Sequence, residues 1–124
     1  MDAAKKWSAW EASTLKLIQD PISINTFTED HVALSRSRTE CHYVMNDCFF
    51  EPNQLITNIS RIREIPGVII HGRYDLPCPL KNAWDLSKAW PEARIEIVPA
   101  AGHSADEPGI LDALIRATEA FKIL

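Results

Sequence analysis

Hydrophobic and polar positions follow two different patterns along the chain, and the change falls at Pro66. Before it, apolar residues recur at helical spacing, and no segment has the pattern of a strand. Proline, polar runs and capping residues divide this part further. It is predicted to form a helix over residues 3–19 stopped by Asp20-Pro21, a polar loop over 21–30, a helix over 31–45 capped by Thr28 or Asp30, and a helix over 53–65.

The part after Pro66 predicts a β-α-β-α unit. Residues 67–71 read GVIIH, a continuous apolar run typical of a strand covered on both faces. A helix over 79–90, a strand over 94–100 and an amphipathic helix over 108–122 follow, each helix opened by a proline. Two strands alone do not make a stable sheet. We therefore expect strand 67–71 to pair also with a strand that this sequence does not contain.

Composition narrows the class of protein. The 124 residues are 46% hydrophobic and 24% charged, as in ordinary globular proteins. A net charge of -4 argues against a nucleic-acid partner or an anionic membrane surface. No apolar run approaches the ~20 residues needed to span a bilayer, and no secretory signal is visible. The three cysteines form no C-x-x-C motif, which favours reduced thiols and a cytoplasmic location.

Two loops carry the residues with the clearest chemistry. Asp75 follows the first predicted strand in HGRYD, and His103 follows the second in AGHS. Because the carboxyl ends of parallel strands share one edge of a sheet, these loops should meet. A carboxylate that accepts a hydrogen bond from imidazole Nδ1 fixes the tautomer of the base. Strand-borne Asp and then His is the order in which α/β-hydrolases present the last two members of their triad.

Other reactive residues near this pair receive plainer interpretations. His71 ends the first strand and is predicted to be structural, and Cys78 is predicted to be a thiol near the site without an obligatory role. The remaining histidines and cysteines show no metal-binding spacing, so neither a metal nor another cofactor is expected. No G-x-S-x-G nucleophile motif is present. The chain therefore reads as a serine-hydrolase segment without nucleophile or oxyanion hole, and we expect it to be inactive alone.

A family resemblance rests on longer motifs. The run PGVIIHGRYDLPCPLKNAWDLSKAWPEARIEIVPAAGHSADEPGI closely resembles the C-terminal segment of proline iminopeptidases, which are α/β-hydrolases that release N-terminal proline from peptides. WSAWEASTLKL and RTECHYVMNDCFF resemble the helical cap of that family. The resemblance implies that Asp75 and His103 are the acid and base of the triad. It also implies that Glu11 and Glu40 bind the imino group of the substrate.

The expected fold class is α/β: the C-terminal β-α-β-α end of an α/β-hydrolase core preceded by helices of the cap domain. Residues 1–65 would form the helical cap segment with its linking helix, and residues 66–124 the end of the core. The expected partner is a peptide with N-terminal proline, and the chain would self-associate or bind a complementary N-terminal segment. Two alternatives stay open: a non-catalytic hydrolase-like binding or assembly protein, and another cap-bearing hydrolase such as an esterase.

Overall fold

The computed structural model describes residues 1–122, and strands occur in it only after Pro66, as predicted. Residues 123 and 124, the end of the second predicted domain, lie outside the described residues. Each helix of the described part is too short or too polar to cross a bilayer. The elements in chain order are α1 (Asp2–Thr14), α2 (Pro21–Phe27), α3 (Asp30–Val44), a 3₁₀ turn (Asp47–Phe49), α4 (Gln54–Thr57), a second 3₁₀ turn (Ile59–Arg61), β1 (Gly67–Gly72), α5 (Leu80–Ala89), β2 (Ala93–Val98) and α6 (Pro108–Phe121).

The C-terminal half is a mixed α/β unit around a small parallel sheet. β1 pairs with β2 in parallel, with Gly67 opposite Ala93 and Gly72 opposite Val98. Helices α5 and α6 both pack against the two strands. The buried cluster of this half comprises Val98, Ala101, Ile110 and Ala113, with Ile70 packed against it. All four elements predicted after Pro66 are confirmed, with bounds that differ by at most two residues.

The N-terminal half is helical and packs through small side chains. Helix α1 lies against both α2 and α3. The buried residues of α1 and α3 are small: Ser8, Ala12, Ala33 and Ser37. Small residues let two helix backbones approach closely, so side chains at the rim of the contact can reach from one helix to the other.

The prediction of a polar loop over 21–30 was wrong, because this segment contains α2. Asp20 caps that helix: its Oδ1 accepts from Ile22 N at 3.0 Å and Ser23 N at 3.4 Å. Pro21 occupies the first helical position, where its fixed φ suits the helix. Helix α1 in turn ends at Thr14 rather than at residue 19, and the segment after it turns towards the loop that follows β2.

Two further expectations before Pro66 need correction. Neither Thr28 nor Asp30 caps α3: its N-cap residue is Glu29, without a side-chain cap bond, and the Thr28 hydroxyl donates back to Ile24 O. The helix predicted over 53–65 is broken into α4 and a 3₁₀ turn. At the break the Asn58 side chain donates to Gln54 O at 2.8 Å, a local bond that competes with helix continuation.

Candidate active site

The loops after β1 and β2 are tied together by their backbones. Arg73 N donates to Val98 O at 2.9 Å, and Tyr74 N donates to Ala101 O at 2.9 Å. Gly72 permits this approach, because a Cβ there would lie 1.9 Å from Gly102 O. The backbone thus brings the two loops into contact before any functional side chain is considered.

Asp75 and His103 meet across this contact. His103 Nδ1 lies 3.0 Å from Asp75 Oδ2 and 3.2 Å from Oδ1, so the two loops meet as predicted. The Asp75 side chain is only 5% exposed, whereas that of His103 is 38% exposed. Because an ionised carboxylate can only accept, Nδ1 carries the proton in this pair. The other ring nitrogen, Nε2, has no hydrogen-bond partner among residues 1–122 and is left as the basic atom.

Asp75 is also held by a backbone N–H and by a second histidine. Cys78 N donates to Asp75 Oδ1 at 2.8 Å, which fixes the carboxylate in its loop. His71 Nε2 donates to the carbonyl of Cys78 at 2.8 Å and lies 3.4 Å from Asp75 Oδ2. His71 therefore braces the Asp75 loop from the end of β1, in keeping with its predicted structural role.

Asp75, Cys78 and His103 are the one cluster within residues 1–122 whose ligand atoms could converge on a metal, all lying within 4.8 Å of one another. Burial first, and then the charge of Asp75, raise the pKa of the Cys78 thiol. A thiol of raised pKa is a weaker nucleophile at neutral pH, which agrees with the prediction that Cys78 has no obligatory chemical role.

Glu11 and Glu40 are brought together by a residue that the sequence analysis did not single out. Arg36 Nη2 donates to Glu11 Oε1 at 3.0 Å and to Glu40 Oε1 at 3.3 Å. Trp7 Nε1 donates to Glu40 Oε2 at 2.6 Å. Arg36 stands four residues before Glu40 on α3, a spacing that pairs opposite charges on a helix and could have revealed it.

One oxygen of this acidic pair has no partner. Glu11 Oε2 is buried and makes no hydrogen bond within the described part of the chain, and Arg36 Nε is in the same condition. Burial is the largest cause that raises the pKa of Glu11, against the opposing pull of Arg36. A buried carboxylate oxygen without a donor is costly unless a ligand supplies one. The site therefore has capacity for one further cationic donor.

The two pairs come from different halves of the chain, and among residues 1–122 no hydrogen bond or ion pair joins them directly. They are connected through the end of α1. Three residues after this helix ends, Leu17 N lies 3.3 Å from Glu107 Oε1, in the segment that follows His103. The sequence analysis also missed Glu107, although it is a glutamate placed directly before the proline that opens α6.

No protein-family model matches the chain, but curated proteins align with nearly all of it. A proline iminopeptidase of Xanthomonas citri is 52% identical over 120 residues, covering 96% of this chain and 38% of the relative. One of Arabidopsis thaliana is 44% identical over 123 residues, with 98% and 32% covered. One of Neisseria gonorrhoeae is 38% identical over 120 residues, with 96% and 37% covered.

These relatives confirm the resemblance noted in the sequence. Over nearly its whole length the chain is similar to proteins named proline iminopeptidase, which are hydrolases. It spans less than two-fifths of the length of these relatives, at 38% for the Xanthomonas citri protein. The match therefore shows which proteins this segment is similar to and by itself assigns no role to an individual residue.

Proposed function

We propose that this chain is the C-terminal part of a cytoplasmic serine aminopeptidase of the proline iminopeptidase family, which releases N-terminal proline from peptides. Residues 1–65 would form part of its helical cap, and residues 66–124 the end of its α/β-hydrolase core. A serine nucleophile and an oxyanion hole would come from the rest of the protein. No metal or organic cofactor takes part in this chemistry.

The observation that carries the proposal is the hydrogen bond between buried Asp75 and exposed His103. With Nδ1–H held by Asp75, His103 Nε2 would accept the proton of the serine hydroxyl as that oxygen attacks the carbonyl carbon of proline. The imidazolium formed would then return the proton to the departing amine of the next residue. Asp75 would stabilise the imidazolium without itself taking the proton.

The acidic pair supports the choice of substrate. Glu11, Glu40 and Arg36 together carry one net negative charge when ionised, and a protonated imino group would balance it. Hydrogen bonds between opposite charges are short and strong where water is excluded. An esterase has no use for a cation-binding carboxylate pair, so this pair favours the peptidase over a cap-bearing esterase.

The open side of the sheet supports the assignment of residues 66–124 to a larger core. An apolar groove of about 570 Å³ lies beside β1, and the residues that line it include Phe50, Leu55, Ile69 and Leu86. An exposed strand edge invites pairing with another chain. We propose that a complementary N-terminal segment covers this groove in the whole protein, and that the isolated chain self-associates there.

The decisive experiment uses the complete protein that contains this segment. A proline arylamide is compared with an uncharged ester in the wild type and in Glu11→Gln and Glu40→Gln variants. Loss of a charge-assisted contact of about 1.5–3 kcal/mol should raise KM for the arylamide by roughly 10- to 150-fold and leave the ester nearly unaffected. Glu119→Gln, on an exposed part of α6, is the matched control.

Equal losses on both substrates would indicate misfolding and contradict imino-group recognition. Absence of arylamide hydrolysis by the wild type would contradict the peptidase itself and favour a non-catalytic protein that keeps the hydrolase scaffold.

A further inference from the structure

Glu107 is a buried carboxylate in a segment that we call the His103 loop (residues 101–107). It is 8% exposed and forms no ion pair within the described residues. Its Oε1 accepts from Gly102 N at 2.5 Å and from Leu17 N at 3.3 Å, and its Oε2 lies 3.4 Å from Leu17 N. A buried charge is costly unless hydrogen bonds compensate it, so these backbone donors fix where the carboxylate can lie.

The Glu107 side chain does not cap the helix that it precedes. It is the N-cap residue of α6, where a side chain normally accepts from the first turn of the helix. The Glu107 side chain makes no such cap bond. It turns instead towards Gly102, the residue directly before His103, and towards the segment that follows α1.

Residues 15–17, which follow α1, also bind the backbone of the His103 loop directly. Leu15 O accepts from His103 N at 2.8 Å and from Ser104 N at 2.9 Å. Gly102 fits between the two contacts: a Cβ there would lie 3.0 Å from Glu107 Oε1 and 3.1 Å from Leu15 O. The backbone around His103 is therefore clamped between the Glu107 carboxylate and residues 15–17.

We propose that Glu107 is a positioning residue that locks the His103 loop to the end of α1, the helix that carries Glu11. The Glu107 carboxylate joins Gly102 N to Leu17 N, and so links the base of the proposed triad with the helix that bears a proposed substrate carboxylate. Only the catalytic consequence rests on the proposed function. The lock itself is a property of this chain.

The structural arm of the test measures backbone hydrogen exchange in the complete protein that contains this segment. Glu107→Leu removes both acceptor oxygens, Glu107→Gln keeps one, and Glu119→Gln is the control. Exchange should rise together in residues 15–17 and 102–104 of Glu107→Leu, rise less in Glu107→Gln and stay unchanged in the control. Unchanged exchange in Glu107→Leu would overturn the proposal. So would equal deprotection of β1 and β2 in both variants, because it would assign Glu107 to general stability.

The catalytic arm uses the complete protein and a proline arylamide. A misplacement of about 1 Å can cost 10²-fold in rate, so Glu107→Leu should lower kcat by about that factor. KM should change much less, because Arg36 holds Glu11 and Glu40 independently of the loop. Glu107→Gln should recover part of kcat. A rise in KM with unchanged kcat would overturn the positioning role. If the wild type lacks arylamide activity, the proposed function fails while the exchange result still decides the lock.

Discussion

The two halves of the chain place their functional side chains by different means. In the C-terminal half, Asp75 and His103 lie on loops whose backbones are tied at the end of a parallel sheet. In the N-terminal half, Glu11 and Glu40 lie on the surfaces of two helices and meet through Arg36. The first arrangement depends on strand register, whereas the second depends on how closely α1 and α3 pack.

The two halves also differ in the size of the side chains that they bury. The C-terminal half buries Val98 and Ile110 against the sheet, whereas the buried residues of α1 and α3 are alanine and serine. Large apolar side chains are exposed in both halves, with Trp7 and Trp84 each 46% exposed, so the difference lies in the buried contacts. A contact made of small residues buries less apolar area. We infer that the helices that carry Glu11 and Glu40 deform more easily than the loops that carry Asp75 and His103.

The largest expected effect tests Asp75 and His103 in the C-terminal half. In the complete protein, His103→Ala or Asp75→Ala should lower kcat by about 10⁴-fold or more, because the base or its orienting partner is lost. KM for a proline arylamide should change little, since neither residue contacts the imino group. Steady-state kinetics of purified variants measures both constants.

Cys78→Ser is the control for this experiment, because Cys78 contributes its backbone N–H to Asp75 and a serine retains that donor. Near-normal kcat is expected for it. If Asp75→Ala retained more than a hundredth of the wild-type rate, the triad assignment would be wrong.

The second prediction tests the softer half. Ala33 is fully buried in α3, so Ala33→Leu should push α1 and α3 apart and destabilise the fold by about 1–3 kcal/mol. KM for the arylamide should rise, because Glu11 and Glu40 are separated. Ala113→Leu is the matched overpacking change in α6. Thermal melts should show a loss of stability similar to that of Ala33→Leu, but kcat should fall instead of KM rising. The same kinetic loss in both variants would abolish the distinction between the halves.

How much the sequence predicts follows the same division. The strands and helices after Pro66 carry strong local patterns: a continuous β-branched run, a proline at each helix start and an amphipathic face on α6. The loops that bear Asp75 and His103 come directly from this order of elements, so their meeting could be predicted.

The rest depends on tertiary contacts or on weak local signals. α2 exists because Asp20 caps it, yet its sequence reads as a polar loop. α1 ends early where residues 15–17 dock on a loop almost 90 residues away in sequence. Arg36 and Glu107 were missed because a charged residue at a helix surface or before a proline is ordinary until its partners are known. The roles of Glu11 and Glu40 came from resemblance and stay predictions.

The third prediction concerns pH and the proposed role of Glu11 in binding the substrate cation. The raised pKa of Glu11 means that its carboxyl takes up a proton at a higher pH than free glutamate does. Only the anion binds the imino cation, so KM should rise as pH falls through this raised pKa, approaching tenfold per pH unit below it. A carboxyl group whose pKa is higher in the folded than in the unfolded state stabilises the fold at a pH below the unfolded-state pKa, and this contribution is lost as pH rises through the folded-state pKa. Protonation of Glu11 at low pH therefore does not unfold the protein, and unfolding through Glu11 cannot explain the rise in KM.

Kinetics from pH 4 to pH 8 measures this effect. The Glu11→Gln variant should have a high KM that depends far less on pH over the same range. A wild-type KM that stays constant down to pH 4 would show that Glu11 does not contact the cation.

The smallest expected effect concerns an ion pair between the two halves. Lys16, just after α1, contacts Asp106 of the His103 loop at 2.7 Å and Asp20 at 3.2 Å. The hydrogen bond to Lys16 lowers the pKa of Asp106, so this contact stabilises the fold above the unfolded-state pKa and is lost as pH falls through the folded-state value. Exposed ion pairs contribute little. Lys16→Met should therefore lower the melting temperature only slightly and leave kcat intact, because Leu15 and Glu107 still hold the loop.

Lys81→Met, which removes an exposed ion pair within α5, is the control. A loss of kcat in Lys16→Met, absent in the control, would show that charge rather than the backbone clamp joins the halves.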